Sequence, residues 1–191
     1  MRRCVVLVAL ALAGCGGGGP THFYTLAVEP TRAPPAGGAC RGAPLTVADV
    51  SIPGTLDRQE IVRASGPDEL EVSNSERWAA PLDQLIQRTL AQELQARLPQ
   101  GRVLAPGDPV PPGGQRLVRV NVQRFLADNS GRVTLIADWA LLDTNGKPGP
   151  SQTETVTVAG ASSNSRTAAA MSTALGVLAD RIAAKLASCS Q

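Results

Sequence analysis

The side chain with the clearest chemistry in this sequence is the thiol of Cys15, which closes the run Leu12-Ala13-Gly14-Cys15. Arg2 and Arg3 form a basic n-region ahead of it, residues 5–12 an apolar h-region, and Ala13-Gly14 the small residues a signal peptidase requires before its cut. Spanning a bilayer takes about 20 apolar residues, so this shorter stretch reads as an export signal. Other chemistry has few candidates. The one histidine is His22, close behind the signal, and a Ser-His-Asp or Cys-His site would have to be built there. A structural role suits His22 better. No Gly-x-Ser-x-Gly elbow occurs, no Cys/His cluster is available for zinc, and Asp49, Asp57, Glu60 and Asp138 lack metal-loop spacing. The sequence therefore points to no catalytic residue, no metal and no cofactor, and to a protein that is not an enzyme.

The run ending at Cys15 resembles the lipobox of bacterial lipoproteins. That resemblance implies that the thiol takes a diacylglycerol, that residues 1–14 are removed, and that the new amino group of Cys15 is acylated. Each buried methylene adds about 0.8 kcal/mol and stable anchoring takes roughly two chains, so a triacylated cysteine would hold permanently. Gly16-Gly17-Gly18-Gly19-Pro20 follows as a flexible tether. It is not a phosphate loop, because Pro20-Thr21 stands where Lys-Ser/Thr would open a helix. The expected organisation is a signal at 1–14, a lipidated cysteine and tether at 15–21, and a single periplasmic domain at 22–191. In Gram-negative sorting an aspartate after the lipidated cysteine retains the protein at the inner membrane. Gly16 stands there instead, which favours the periplasmic face of the outer membrane.

Arg2 and Arg3 carry the whole formal net charge of +2, so the processed chain is neutral. With only Lys147 and Lys185 as lysines and no block of like charge, neither a nucleic-acid surface nor a polybasic membrane patch is suggested. Cys4 lies in the signal, which leaves Cys40 and Cys189 in an oxidising compartment. They are candidates for a disulfide between the first segment and the last helix, a long loop worth about 4–5 kcal/mol in the chain-entropy model.

These groups need a scaffold, and the periodicities supply one. Residues 22–28 read as a short strand, 45–52 as a second ending at Pro53-Gly54, and 60–64 with 69–73 as an antiparallel pair. Ser73 and Glu76 fit a capping box ahead of a helix whose apolar stripe is Leu82, Leu85, Ile86, Leu90, Leu94 and Leu98, with Pro81 in its first turn. The second half repeats the order. A short strand at 102–105 precedes a hairpin of 116–127 and 132–142 around Asp128-Asn129-Ser130-Gly131, then a strand at 152–159. A closing helix over 165–187 aligns Met171, Leu175, Leu178, Ile182 and Leu186. The expected fold class is α+β, a mainly antiparallel sheet with two amphipathic helices packed on one face.

The segment from Val47 to Val62, read as VADVSIPGTLDRQEIV, lies between Phe23-Tyr24-Thr25-Leu26 and Trp78-Ala79-Ala80-Pro81-Leu82. Together with Phe125, Asp138-Trp139 and the closing helix it resembles the ABC-type transport auxiliary lipoproteins over almost all of the processed chain. Two departures stand out. Arg58-Gln59-Glu60-Ile61 replaces the usual Arg-Pro-Gln-Ile, and Gly54-Thr55 stands where an aromatic residue is common. The resemblance implies a non-catalytic subunit of an MCE-type lipid transport system bridging the two membranes, with a periplasmic MCE protein as partner. It also implies membrane attachment through the lipid and leaves phospholipid contact and homo-oligomerisation open. Ile52, Pro53, Leu56, Asp57, Arg58 and Gln59 are the candidate partner-binding residues. Two roles stay open for the charged pair. Arg58 offers a forked donor to a partner carboxylate or a lipid phosphate, or else Asp57 caps the turn and Arg58 closes an intrachain ion pair. Trp78 and Trp139 read as core. Rival readings are a pilotin-like assembly lipoprotein and a periplasmic lipid carrier with an apolar cavity under its helices.

Overall fold

Alternation in one long strand organises the sheet. The computed structural model describes residues 19–29, 42–160 and 163–188; Cys15, Cys40 and Cys189 lie outside them. Ten elements follow in chain order, beginning with β1 (His22–Tyr24), β2 (Leu45–Val47), β3 (Glu60–Ala64), β4 (Leu70–Trp78) and α1 (Leu82–Arg97). The second set is β5 (Val103–Leu104), β6 (Arg116–Ala127), β7 (Val133–Leu142), β8 (Gln152–Val158) and α2 (Asn164–Ser188). In β6, Val118, Val120 and Val122 are buried while Arg119, Asn121 and Gln123 are exposed. A register shift between Val122 and Arg124 then turns Phe125 inward.

The β6–β7 hairpin is closed by Asp128, whose Oδ1 accepts from Ser130 N at 2.9 Å, Ser130 Oγ at 2.6 Å and Arg132 N at 3.0 Å. Gly131 completes the turn at φ 78°, a conformation that a side chain would strain. Gly160 approaches the same turn so closely that a Cβ would lie 2.1 Å from the Gly131 carbonyl oxygen. Backbone conformation fixes Gly131, and close contact fixes Gly160.

The sheet is mixed, which corrects the expectation of a mainly antiparallel one. The β3–β4, β6–β7 and β7–β8 pairs are antiparallel, whereas β1 pairs with β4, and β2 and β3 both pair with β6, in parallel. Side-chain alternation is the same for either direction, so the pattern alone carried no sign of this. The helices pack on each other, α1 against β2 and β5, α2 against β7 and β8. Met171, Leu175, Leu178, Ile182 and Leu186 are all buried, as are Leu82, Leu85, Ile86, Leu90 and Leu94.

Three local expectations change. The Ser73/Glu76 capping box is instead part of β4, because β1 pairs with Glu76–Trp78 on one side and Gln59 and Glu60 on the other. Ser73 Oγ still donates to Glu76 Oε2 at 3.3 Å, but within a strand, where long-range pairing outweighs the local box. Pro81 sits just ahead of α1 rather than within its first turn. Only His22–Tyr24 of the first predicted strand pairs. Residues 25–29 instead cross the helices, Ala27 N donating to Ser172 Oγ at 3.0 Å and Glu29 N to Glu93 Oε1 at 2.7 Å.

Candidate docking loop

The loop 52–59 is held at both ends by backbone pairing. Ser51 N donates to Val120 O at 3.1 Å and its carbonyl accepts from Val122 N at 2.8 Å, so the chain leaves along β6. It returns where Trp78 N donates to Gln59 O at 2.7 Å. Between these points Leu56 N closes a turn onto Pro53 O at 2.8 Å, and Arg58 N bonds Leu56 O at 2.9 Å. Leu56 itself is buried in the core and Ile52 and Pro53 are half-buried, so the loop is anchored from within.

Asp57, Arg58 and Gln59 project outward and are exposed. Neither charged side chain makes a hydrogen bond or an ion pair with a described residue. Neither the turn cap from Asp57 nor the ion pair through Arg58 is formed with a described residue. Nearby, Arg77 and Glu60 pair at 3.7 Å across β3 and β4. The six candidate residues thus separate into an inner set, Ile52, Pro53 and Leu56, and an outer set, Asp57, Arg58 and Gln59. A fixed backbone presenting a guanidinium with no partner among the described residues is suited to directed hydrogen bonding with an incoming anionic group. Trp78 and Trp139 are both buried in the core.

Direction within the sheet places this loop relative to the start of the chain. Because β1 is parallel to β4, it runs from the side of the β3–β4 turn towards the side of loop 52–59.

The sequence reading missed a buried charge cluster between the helices. Glu93 is fully buried, and its carboxylate takes a short hydrogen bond from Arg97 Nη1 one turn later in α1 as well as the Glu29 N–H. Arg97 Nε also donates to Asp180 Oδ1 of α2 at 2.6 Å. Burial alone would lower the Arg97 pKa, but its bonds to Asp180 and Glu93 outweigh this and raise it. The available signal was phase: Glu93 and Arg97 continue the stripe of Ile86 and Leu90. On the outer sheet face, Asp138 accepts from Thr153 Oγ1 at 2.6 Å and Gln123 Nε2 at 2.5 Å, bonds that hold its carboxyl below the usual range. Among the described residues, no three metal-binding side chains come together and no helix is long and apolar enough to cross a membrane.

Two solved structures share this fold. One, of an uncharacterized protein, superposes with a TM-score of 0.73 at 20% identity, covering 87% of this chain and 99% of its own. The other, a protein from Xanthomonas campestris, gives 0.68 at 21% identity and covers 86% and 94%. In sequence, the chain is 31% identical over 139 residues to the intermembrane transport lipoprotein PqiC of Escherichia coli strain K12, spanning 72% of each protein. The Shigella flexneri protein of the same name matches equally. Residues 24–183 match the model of the ABC-type transport auxiliary lipoprotein component, and the chain belongs to that family.

Proposed function

We propose that this protein is a non-catalytic auxiliary lipoprotein of an MCE-type intermembrane lipid transport system, anchored through Cys15 to the periplasmic face of the outer membrane. The observation that carries the docking part is loop 52–59, fixed at both ends and through Leu56, which leaves Asp57 and Arg58 exposed without a partner among the described residues. Family membership and the similarity to PqiC support the transport context. The export signal and lipobox-like run support the anchor.

In this reading the chain has no turnover of its own. The tether would hold the domain at one membrane while the loop engages a periplasmic MCE assembly, with Arg58 meeting a carboxylate of the partner. β1 lies parallel to β4 beside its last three residues, Glu76–Trp78, so the chain enters the domain next to the side of this loop. Affinity purification of the full-length lipoprotein from membranes, with mass spectrometry of co-purifying chains, tests it. Recovery of an MCE-domain protein supports the reading. Consistent recovery of secretion or outer-membrane assembly components without one would favour the pilotin-like alternative.

A further inference from the structure

Apolar side chains left in water are common singly, but here several gather on one face. The large exposed hydrophobics among the described residues are Phe23, Val28, Leu70, Val72 and Val110. Pairing places three of them together. Phe23 is opposite Arg77 and Arg77 opposite Glu60, while beyond a register shift Val72 and Leu70 are opposite Val62 and Ala64. Cross-strand partners share a face, and Glu60, Val62 and Ala64 alternate along β3 onto one side, so Phe23, Val72 and Leu70 point the same way. That side is away from the helices, because Arg63, between Val62 and Ala64, turns inward to donate to Asn164 Oδ1 of α2 at 3.1 Å. Phe23, Val72 and Leu70 are 62%, 38% and 42% exposed, whereas Val62 and Ala64 beside them are almost covered. The patch opens outwards from β1 and β4, at one border of the sheet.

The length of the tether says what is close to this face. Cys15 precedes His22 by seven positions, and the residues between are four glycines, Pro20 and Thr21. Fully extended, such a stretch spans at most about 25 Å, and a Gly-rich chain of this length averages about 15 Å. A bilayer holding the acyl groups of Cys15 is therefore within that distance of β1, and Phe23 is the residue after His22. We propose that the outer face of β1 and β4 lies on the bilayer surface, with Phe23, Leu70 and Val72 entering the boundary between headgroups and acyl chains. The inference rests on the Cys15 anchor and adds to it a contact made by the folded domain. Interfacial binding grows with the apolar area covered, and the anchor already holds the domain at high effective concentration beside the membrane, so a small patch can orient it. Charge selects the kind of surface. Asp68 and Glu69 are exposed in the β3–β4 turn beside Leu70, and Arg77 is already paired with Glu60 at 3.7 Å. The acidic turn fits a zwitterionic headgroup layer and would be repelled by an anionic one.

The test uses the full lipoprotein, purified with its native acyl groups and without any partner protein, in phosphatidylcholine vesicles whose acyl chains carry bromine. Leu70→Trp supplies a reporter on the patch, and Val110→Trp one at an exposed apolar site between β5 and β6. The buried Trp78 and Trp139 give both the same background. The expected result is stronger bromine quenching of the Leu70→Trp reporter than of the Val110→Trp reporter. Adding Phe23→Ser and Val72→Asp should abolish the difference, with circular dichroism unchanged because both sites are exposed. Replacing part of the lipid by phosphatidylglycerol should not increase it. Equal quenching of the two reporters on vesicle-bound protein overturns the contact and leaves the anchor standing. Quenching that appears only with anionic lipid overturns it too. A Leu70→Trp reporter shielded from aqueous acrylamide yet untouched by bromine assigns the face to another protein chain and likewise overturns it. Protein that does not float with the vesicles overturns the anchor and this contact together, and none of these outcomes bears on loop 52–59.

Discussion

Glu93 and Arg97 lie one turn apart on the buried face of α1 and are joined by a short ion-paired hydrogen bond, although the surrounding stripe is apolar. The carboxylate is completely covered and also binds the backbone of Glu29, while the guanidinium reaches on to Asp180. The pair ties the segment after β1 to both helices.

Removing one member should therefore be far worse than removing both. Glu93→Ala leaves Arg97 covered with only the exposed Asp180 as a charged partner, and should cost about 3–5 kcal/mol in urea unfolding. Replacing the pair with Glu93→Leu and Arg97→Met should cost much less. A double variant whose loss equals the sum of the two single losses would show that the charges are not coupled.

For the candidate docking loop, Arg58→Glu should leave the melting temperature within the small range expected of an exposed site, since Arg58 has no partner to lose among the described residues. Its effect should fall on co-purification of the MCE protein, through slower association if the contact is at a rim. Leu56→Ala should act differently, costing about 2–5 kcal/mol of stability through its buried side chain. Undiminished partner recovery with Arg58→Glu would remove this residue from the interface.

Lipidation is tested at its nucleophile. Cys15→Ala should abolish incorporation of a fatty-acid analogue and leave uncut precursor, and Gly16→Asp should move the protein towards the inner-membrane fraction. Labelling of Cys15→Ala at the native level would disprove the anchor.

Cys40 and Cys189 should be linked in the exported protein. A non-reduced digest examined by mass spectrometry should contain the joined peptides, and free alkylation of both thiols without reductant would exclude the bridge.

The acid limb of stability should depend in part on Asp128. Its bond from Ser130 Oγ, helped by the backbone N–H groups of Ser130 and Arg132, holds its pKa below the ordinary value. A carboxyl depressed in the folded state stabilises the fold above its unfolded pKa, about 3.9, and that contribution is lost as the pH falls through the lower folded value. Asp128→Asn should therefore lower stability at neutral pH and flatten the decline on acidification. An unchanged slope would assign the acid sensitivity elsewhere.

Much of this architecture was legible because its signals were local. The β6–β7 hairpin emerged within a residue of its true bounds from alternation plus a four-residue turn, and α2 from its apolar spacing. The parallel placement of β2 and β3 on β6 was not legible, since it depends on which edge each strand reaches. Ser73 and Glu76 misled for a related reason: a local cap was outcompeted by pairing with residues far away in sequence. At the docking loop, the sequence identified a segment but not the division between buried Leu56 and exposed Arg58. Glu93 and Arg97 were hidden by their residue types, which ordinarily mark a solvated face.

The parallel pairing of β1 with β4 also has a mechanical meaning. Tension on the chain ahead of His22 loads the three β1–β4 register pairs together in shear, rather than peeling them apart in sequence as at the end of a hairpin. Beyond Tyr24 the load meets the bonds to Ser172 and Glu93 and passes into both helices. A domain pulled from its first strand is thus gripped along its core, so resistance to extraction depends on how slowly that grip opens under load rather than on the depth of the folded minimum.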